Sequence, residues 1–134
     1  MRSSLKSYRK VSLDSEISVA SPHRIVQMMF AGGLERLAQS RYAIENADVK
    51  NKGIYIGKAI GIINGLNNSL NMDEGGDIAG NLSQLYDFIV MKVTEANLNN
   101  DVKAIDDAVS VLRTLKEGWD AIPKDKHHLT SELN

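Results

Sequence analysis

No cysteine occurs among the 134 residues of this chain. That absence removes a zinc ribbon, a Cys-ligated iron–sulfur centre and a thiol nucleophile in one step. Proline appears only twice and aromatic residues make up 5%, which leaves little material for a β-sheet. An excess of charge is missing too, since the formal net charge is -1. Neutralising a phosphate backbone needs a dense Lys/Arg face, so a nucleic-acid partner is not expected. The local exception is the first ten residues, where Arg2, Lys6, Arg9 and Lys10 stand without an acid and Leu5, Tyr8, Val11 and Leu13 are interspersed or come just after. No continuous apolar run comes after them, so neither a secretory signal nor membrane insertion is expected, and a cytoplasmic location is the expectation. What is present is ordinary for a globular domain: 43% hydrophobic and 25% charged residues. A chain of this size can bury roughly two thirds of its unfolded surface without staples.

Helical periodicity runs through most of the length. Ser21-Pro22 predicts a helix start, with the serine hydroxyl accepting a backbone N–H and the proline where its missing donor costs nothing. Val26, Phe30, Gly33, Leu37, Ser40 and Ile44 then recur at spacings of three and four, one face of a helix that ends near Asn46–Asp48. After a polar link at Val49-Lys50-Asn51, a second helix presents Ile56, Ile60, Ile63, Leu66 and Leu70. A third runs from Asp77 through Ile78, Leu82, Leu85, Ile89, Val93 and Ala96. The fourth, capped at Asn100-Asp101, carries Val102, Ile105, Val109, Leu112, Leu115 and Trp119 until Pro123 forbids continuation. Short links such as Asp73-Glu74-Gly75-Gly76 make sequential helices antiparallel neighbours. The expectation is therefore an all-α protein: an antiparallel four-helix bundle over residues 21–123, preceded by a mobile N-terminal arm or short extra helix over 1–20. Residues 124–134 lack a sustained apolar stripe and are expected to fray.

Catalytic and metal-binding patterns are not found. Carboxylate-bridged di-metal bundles need inward-facing Glu-x-x-His pairs, and none occurs. His23, His127 and His128 read as exposed side chains rather than metal ligands. There is no Gly-x-Ser-x-Gly elbow, and Gly75-Gly76 lacks both the Lys-Ser/Thr ending and the preceding strand of a phosphate loop. No enzyme activity and no cofactor are expected.

Two features stand out instead. Gly53, Gly57, Gly61 and Gly65 fall at four-residue intervals in the second helix, although each interior glycine costs about 1 kcal/mol relative to alanine. Such a seam permits close backbone approach, either by a neighbouring helix of the bundle or by a partner segment lying in a shallow groove beside Ile60, Ile63 and Asn64. An asparagine band, Asn64, Asn67, Asn68, Asn71 and Asn81, offers donors and acceptors that could grip an incoming backbone; a solvated face, with turn chemistry at Asn71, is the plainer reading. Tyr8, an isolated aromatic in a basic arm, could plug an apolar pocket reversibly.

Several stretches together resemble one family. Ser21-Pro22 with Gln27-Met28-Met29-Phe30, Ala43-Ile44-Glu45, Lys58-Ala59-Ile60-Gly61-Ile62-Ile63, the run Gly75-Gly76-Asp77-Ile78-Ala79-Gly80-Asn81-Leu82 with Leu85-Tyr86-Asp87, Ala96-Asn97 with Asp101, and the Leu115 to Trp119 ending are similar to the flagellar export chaperones of the FliS family. The resemblance implies an antiparallel helical bundle that binds the C-terminal region of flagellin in the cytosol, prevents its premature polymerisation and assists its delivery to the flagellar type III export apparatus. Further flagellar regulators are possible partners. A client that is disordered and amphipathic until it packs in the filament loses a few kcal/mol in ordering, which makes release easier. Combined with the glycine seam and asparagine band, the resemblance places the flagellin-binding surface at Tyr8, Phe30, Gly57, Ile60, Gly61, Ile63, Asn64, Asn67, Ile78, Asn81, Leu82 and Tyr86. Where the family often has Leu-Tyr-Asp-Gly-Ala, this chain has Met29-Phe30-Ala31-Gly32-Gly33, which keeps the aromatic body and lacks the carboxylate. A helical adaptor or holdase for another secreted, partly disordered client is the alternative.

Overall fold

Within residues 21–127, which the computed structural model describes, the chain forms four helices: α1 (Pro22–Glu45), α2 (Val49–Asn68), α3 (Met72–Asn99) and α4 (Val102–Asp120). The arm of residues 1–20, Tyr8 included, and the segment 128–134 lie outside the described residues. Each helix start is marked by a side chain that satisfies an orphan amide. Ser21 Oγ accepts from Arg24 N at 3.2 Å, Asp48 Oδ1 from Asn51 N at 3.2 Å, Asn71 Oδ1 from Glu74 N at 3.1 Å, and Asp101 Oδ1 from Lys103 N at 3.0 Å. Val49-Lys50-Asn51, expected as a link, belongs to α2, because Asp48 supplies the cap and sets the start.

The links span 46–48, 69–71 and 100–101, too short for anything but a reversal. Contacts run α1 to α2, α2 to α3, α3 to α4 and α4 back to α1, closing the ring of an all-α four-helix bundle. Its antiparallel sense shows in side-chain bonds between opposite ends. Lys52, early in α2, donates to the Asn97 carbonyl and to Asn100 Oδ1 at 3.1 and 2.8 Å. Arg41, late in α1, holds Asp106, early in α4, through Nε at 2.8 Å and a second nitrogen at 3.2 Å. The fork lowers the Asp106 carboxyl below its ordinary value, chiefly through these hydrogen bonds.

Phe30, Leu37, Ile63, Leu66, Ile89, Ile105 and Leu112 are all but inaccessible and form one continuous core. The predicted α1 stripe is the observed one, with Ala43 added and Ile44 at the margin. In α3 the stripe differs. Ala79, Tyr86, Ile89, Val93 and Ala96 turn inward, while Ile78 and Leu85, expected in the core, are 61% and 39% exposed. Both follow the backbone break at Gly76 (φ +54, ψ -133), which puts only the turn starting at Met72 out of phase; within the rest of α3 the inward face is set by the α2 and α4 neighbours it packs against. The residues before Gly76, expected as a link, form a helical turn instead, because Asn71 caps it. A Cβ at position 76 would meet nothing within 4 Å among the described residues, yet that backbone conformation penalises any side chain. Gly76→Ala is therefore expected to lower stability by about 1–2 kcal/mol in a denaturant melt, entirely from backbone strain.

The end of the bundle where α1 starts and α4 stops departs further from expectation. His23 is 2% exposed, not a surface side chain, because it lies one turn before Val26 on the buried stripe. Its Nε2–H donates to the Trp119 carbonyl at 3.0 Å, and Trp119 Nε1–H donates back to the His23 carbonyl at 3.0 Å. After Pro123, residues 124–127 form a short 3₁₀ turn, and the His127 ring stacks on His23. His127 is thus part of the packed end of the bundle.

Candidate functional site

The structure sorts the residues singled out from the sequence into three groups. Phe30, Ile63 and Tyr86 are 1%, 1% and 3% exposed. They lie in the core cluster. Burial pushes the Tyr86 hydroxyl up to about 12, because a phenolate there would lose its water. The fold therefore favours the neutral phenol: Tyr86 contributes stability that is intact below pH 10 and is lost as the pH climbs from 10 through about 12. Tyr86→Phe is expected to flatten that alkaline decline in stability-versus-pH melts.

The second group lies on the outer face of α2. Gly57, Gly61 and Asn64 are exposed, Ile60 is half-buried beside them, and Ile54 is 42% exposed on the same side. Of the two readings of the glycine seam, tight packing inside the bundle fits only its last member. A Cβ on Gly65 would come within 3.0 Å of Met29 Cε, whereas at Gly53, Gly57 and Gly61 nothing lies within 4 Å among the described residues. Three glycines thus lay bare helix backbone where a second chain can approach closely. The buried Ile56, Ala59, Ile63 and Leu66 on the opposite side hold α2 in place, with each large side chain contributing about 1.5–3 kcal/mol.

The third group belongs to α3. Ile78, Leu85 and Lys92 stand seven apart and form one stripe. Lys92 Nζ lies 3.9 Å from Asp107 Oδ2, so that stripe borders α4. Asn81 is exposed beside it, and Leu82 is half-buried against the core. Asn67 connects the two helices rather than reaching outward: its Nδ2 donates to Asp87 Oδ1 at 3.1 Å, and its Oδ1 accepts from Ser83 Oγ at 2.8 Å. These bonds turn the 83 and 87 side of α3 toward α2, so the glycine face and the Ile78–Leu85 stripe are separate surfaces on adjacent helices. Asn71 is likewise committed, as the cap of α3. Of the band, Asn64 and Asn68 on α2 and Asn81 on α3 are exposed.

Sequence reasoning missed Leu85, which it placed in the core, and also Ile54 and Met91, 49% exposed on α3. Counting Ala79 as a core residue would have shifted the α3 stripe by one position and brought Leu85 out. A groove of about 410 Å³ lies elsewhere, between the end of α1 and the start of α2, lined by Tyr42 and Tyr55 with Gln39, Asp48 and Asn51. It holds none of the residues predicted from the sequence.

A helical bundle with a closed core and two apolar faces that no other described residue covers, on neighbouring helices, has the form of a protein-binding module. The FliS family model, described as flagellar protein FliS, matches residues 4–126. Similar proteins include a flagellar secretion chaperone FliS of Vibrio cholerae, 50% identical over 131 residues covering 98% of this chain and 96% of that one. A flagellar secretion chaperone FliSB of Pseudomonas aeruginosa is 47% identical over 118 residues, 88% and 94% of the two chains. One of Salmonella typhimurium is 41% identical over 121 residues, 90% of each. The chain belongs to the FliS family of flagellar secretion chaperones, a family of chaperones and not of enzymes. No described helix is long and apolar enough to cross a membrane.

Proposed function

We infer that the protein binds the C-terminal region of flagellin in the cytoplasm, keeps it from polymerising early and assists its delivery to the flagellar type III export apparatus. The observation that supports this most is the pairing of a bare glycine face on α2 with an exposed Ile78–Leu85 stripe on α3, on a bundle whose core is already complete. A single rigid helix covers one such face. A client that is disordered until bound can run across both, laying an apolar stripe on each and using Asn64 and Asn81 for its backbone. Covering those stripes removes the surfaces through which flagellin subunits would associate, and the ordering cost keeps the complex releasable.

Affinity capture with full-length flagellin and with flagellin lacking its C-terminal segment tests the reading. Retention of the full-length protein alone is expected. Equal retention of both would favour a holdase for partly disordered exported clients in general.

A further inference from the structure

We propose that the groove between the end of α1 and the start of α2 is a second docking site, which takes an arginine side chain presented by a segment of a partner protein. The groove encloses about 410 Å³, and its lining holds two carboxylates, Glu35 and Asp48, and two tyrosines, Tyr42 and Tyr55, with no Lys, Arg or His. No residue of that lining belongs to the glycine face of α2 or to the Ile78–Leu85 stripe, so the proposal does not depend on which client the bundle carries.

The chemistry selects a flat cation. Tyr42 is 71% exposed, and Tyr55 already accepts a positive charge, since Lys58 Nζ lies 6.0 Å from the centre of its ring. A guanidinium stacks on an aromatic face and forks its N–H groups onto a carboxylate, which an ammonium does not. Asp48 is held in place for that role: Oδ1 caps α2 by accepting from Asn51 N at 3.2 Å, and Oδ2 accepts from Asn51 Nδ2 at 2.7 Å. Each carboxylate oxygen has a second lone pair, so the cap leaves acceptor capacity free. The N-terminus of α2 would by itself repel a cation, and the Asp48 carboxylate reverses the sign there.

Most cations that neighbour the lining in sequence are committed. Arg36 Nη1 donates to Gln39 Oε1 at 2.7 Å, Arg41 holds Asp106, and Lys52 donates to the Asn97 carbonyl and Asn100 Oδ1. Lys50 is exposed on the first turn of α2, outside the lining. An apolar segment seated in the groove would strip water from Glu35 and Asp48 without a counter-charge, and an acidic one would meet them as like charges. A segment that carries arginine avoids both costs.

NMR titration of the full chain with the blocked peptide acetyl-Leu-Arg-Leu-amide tests the proposal, against the same peptide carrying citrulline, which keeps the shape of arginine without its charge. The arginine peptide is expected to shift the Tyr42 and Tyr55 ring signals and the Asn51 side-chain amide saturably, and the citrulline peptide to bind about tenfold more weakly. Glu35→Gln combined with Asp48→Asn should weaken the arginine peptide by about the same factor. The fold should survive that change, because asparagine caps a helix as well as aspartate does. No saturation at these signals by about 20 mM peptide, equal binding of the two peptides, or unchanged binding in the double variant would each overturn the proposal. So would a change in the Tyr42 and Tyr55 signals of the peptide-free protein on combining Arg2→Gln with Arg9→Gln, which would seat the chain's own first residues in the groove.

Discussion

Replacing Phe30 by alanine is expected to lower the stability of the bundle by about 3–5 kcal/mol, the cost of emptying a large aromatic site in a packed core. Phe30 is 1% exposed and its ring lies 6.4 Å from that of Trp119, tilted by 56°. The cavity would open between α1 and α4, where the start of α1 packs beside the end of α4 and relaxation is limited by the His23–Trp119 bonds. The family resemblance attaches Phe30 to the client surface, so the same variant separates two roles. A core residue should cost stability in thermal or urea unfolding while the fraction that remains folded captures flagellin with unchanged affinity. A binding residue would show the reverse, a weaker complex with an ordinary melting curve.

Gly61→Leu should behave in the opposite way. Leucine is the better helix former by roughly 0.5–1 kcal/mol, and among the described residues nothing lies within 4 Å of an added Cβ, so the free protein should become slightly more stable. The leucine side chain would then stand on the one strip of α2 where a client backbone can come close. Flagellin capture is expected to weaken at least about tenfold, equivalent to about 1.4 kcal/mol, as read by titration calorimetry. The combination matters because a gain in stability removes misfolding as an explanation of lost binding. Unchanged affinity in a stabilised variant would move the client off the outer face of α2.

Helix number, order and antiparallel sense are legible in the sequence alone. Ser21-Pro22, Asp101 and the short links carry local chemistry that acts within a few residues, and a 3.6-residue repeat of apolar side chains needs no tertiary knowledge to be recognised. The inward face of α1 is legible for the same reason. Asp48 at the start of α2 is less so, because a cap and a link share the same polar residues.

Phase and partnership needed the fold. Ile78 and Leu85 satisfy a helical repeat as well as Ala79 and Tyr86 do; the choice between them falls to which neighbours α3 must touch. Four glycines at equal spacing are the same string whether they meet a helix or open space, and only the position of α1 separates Gly65, against Met29, from Gly57 and Gly61. Asparagines are ambiguous in the same sense: Asn67 is consumed by Asp87 and Ser83 across a helix boundary, while Asn64, three residues away, is left exposed. His23 and His127 are 104 positions apart, and no local pattern brings them together. Periodicity is a property of one helix, whereas burial belongs to pairs of helices, and contacts between distant residues enter only when the ring of four closes.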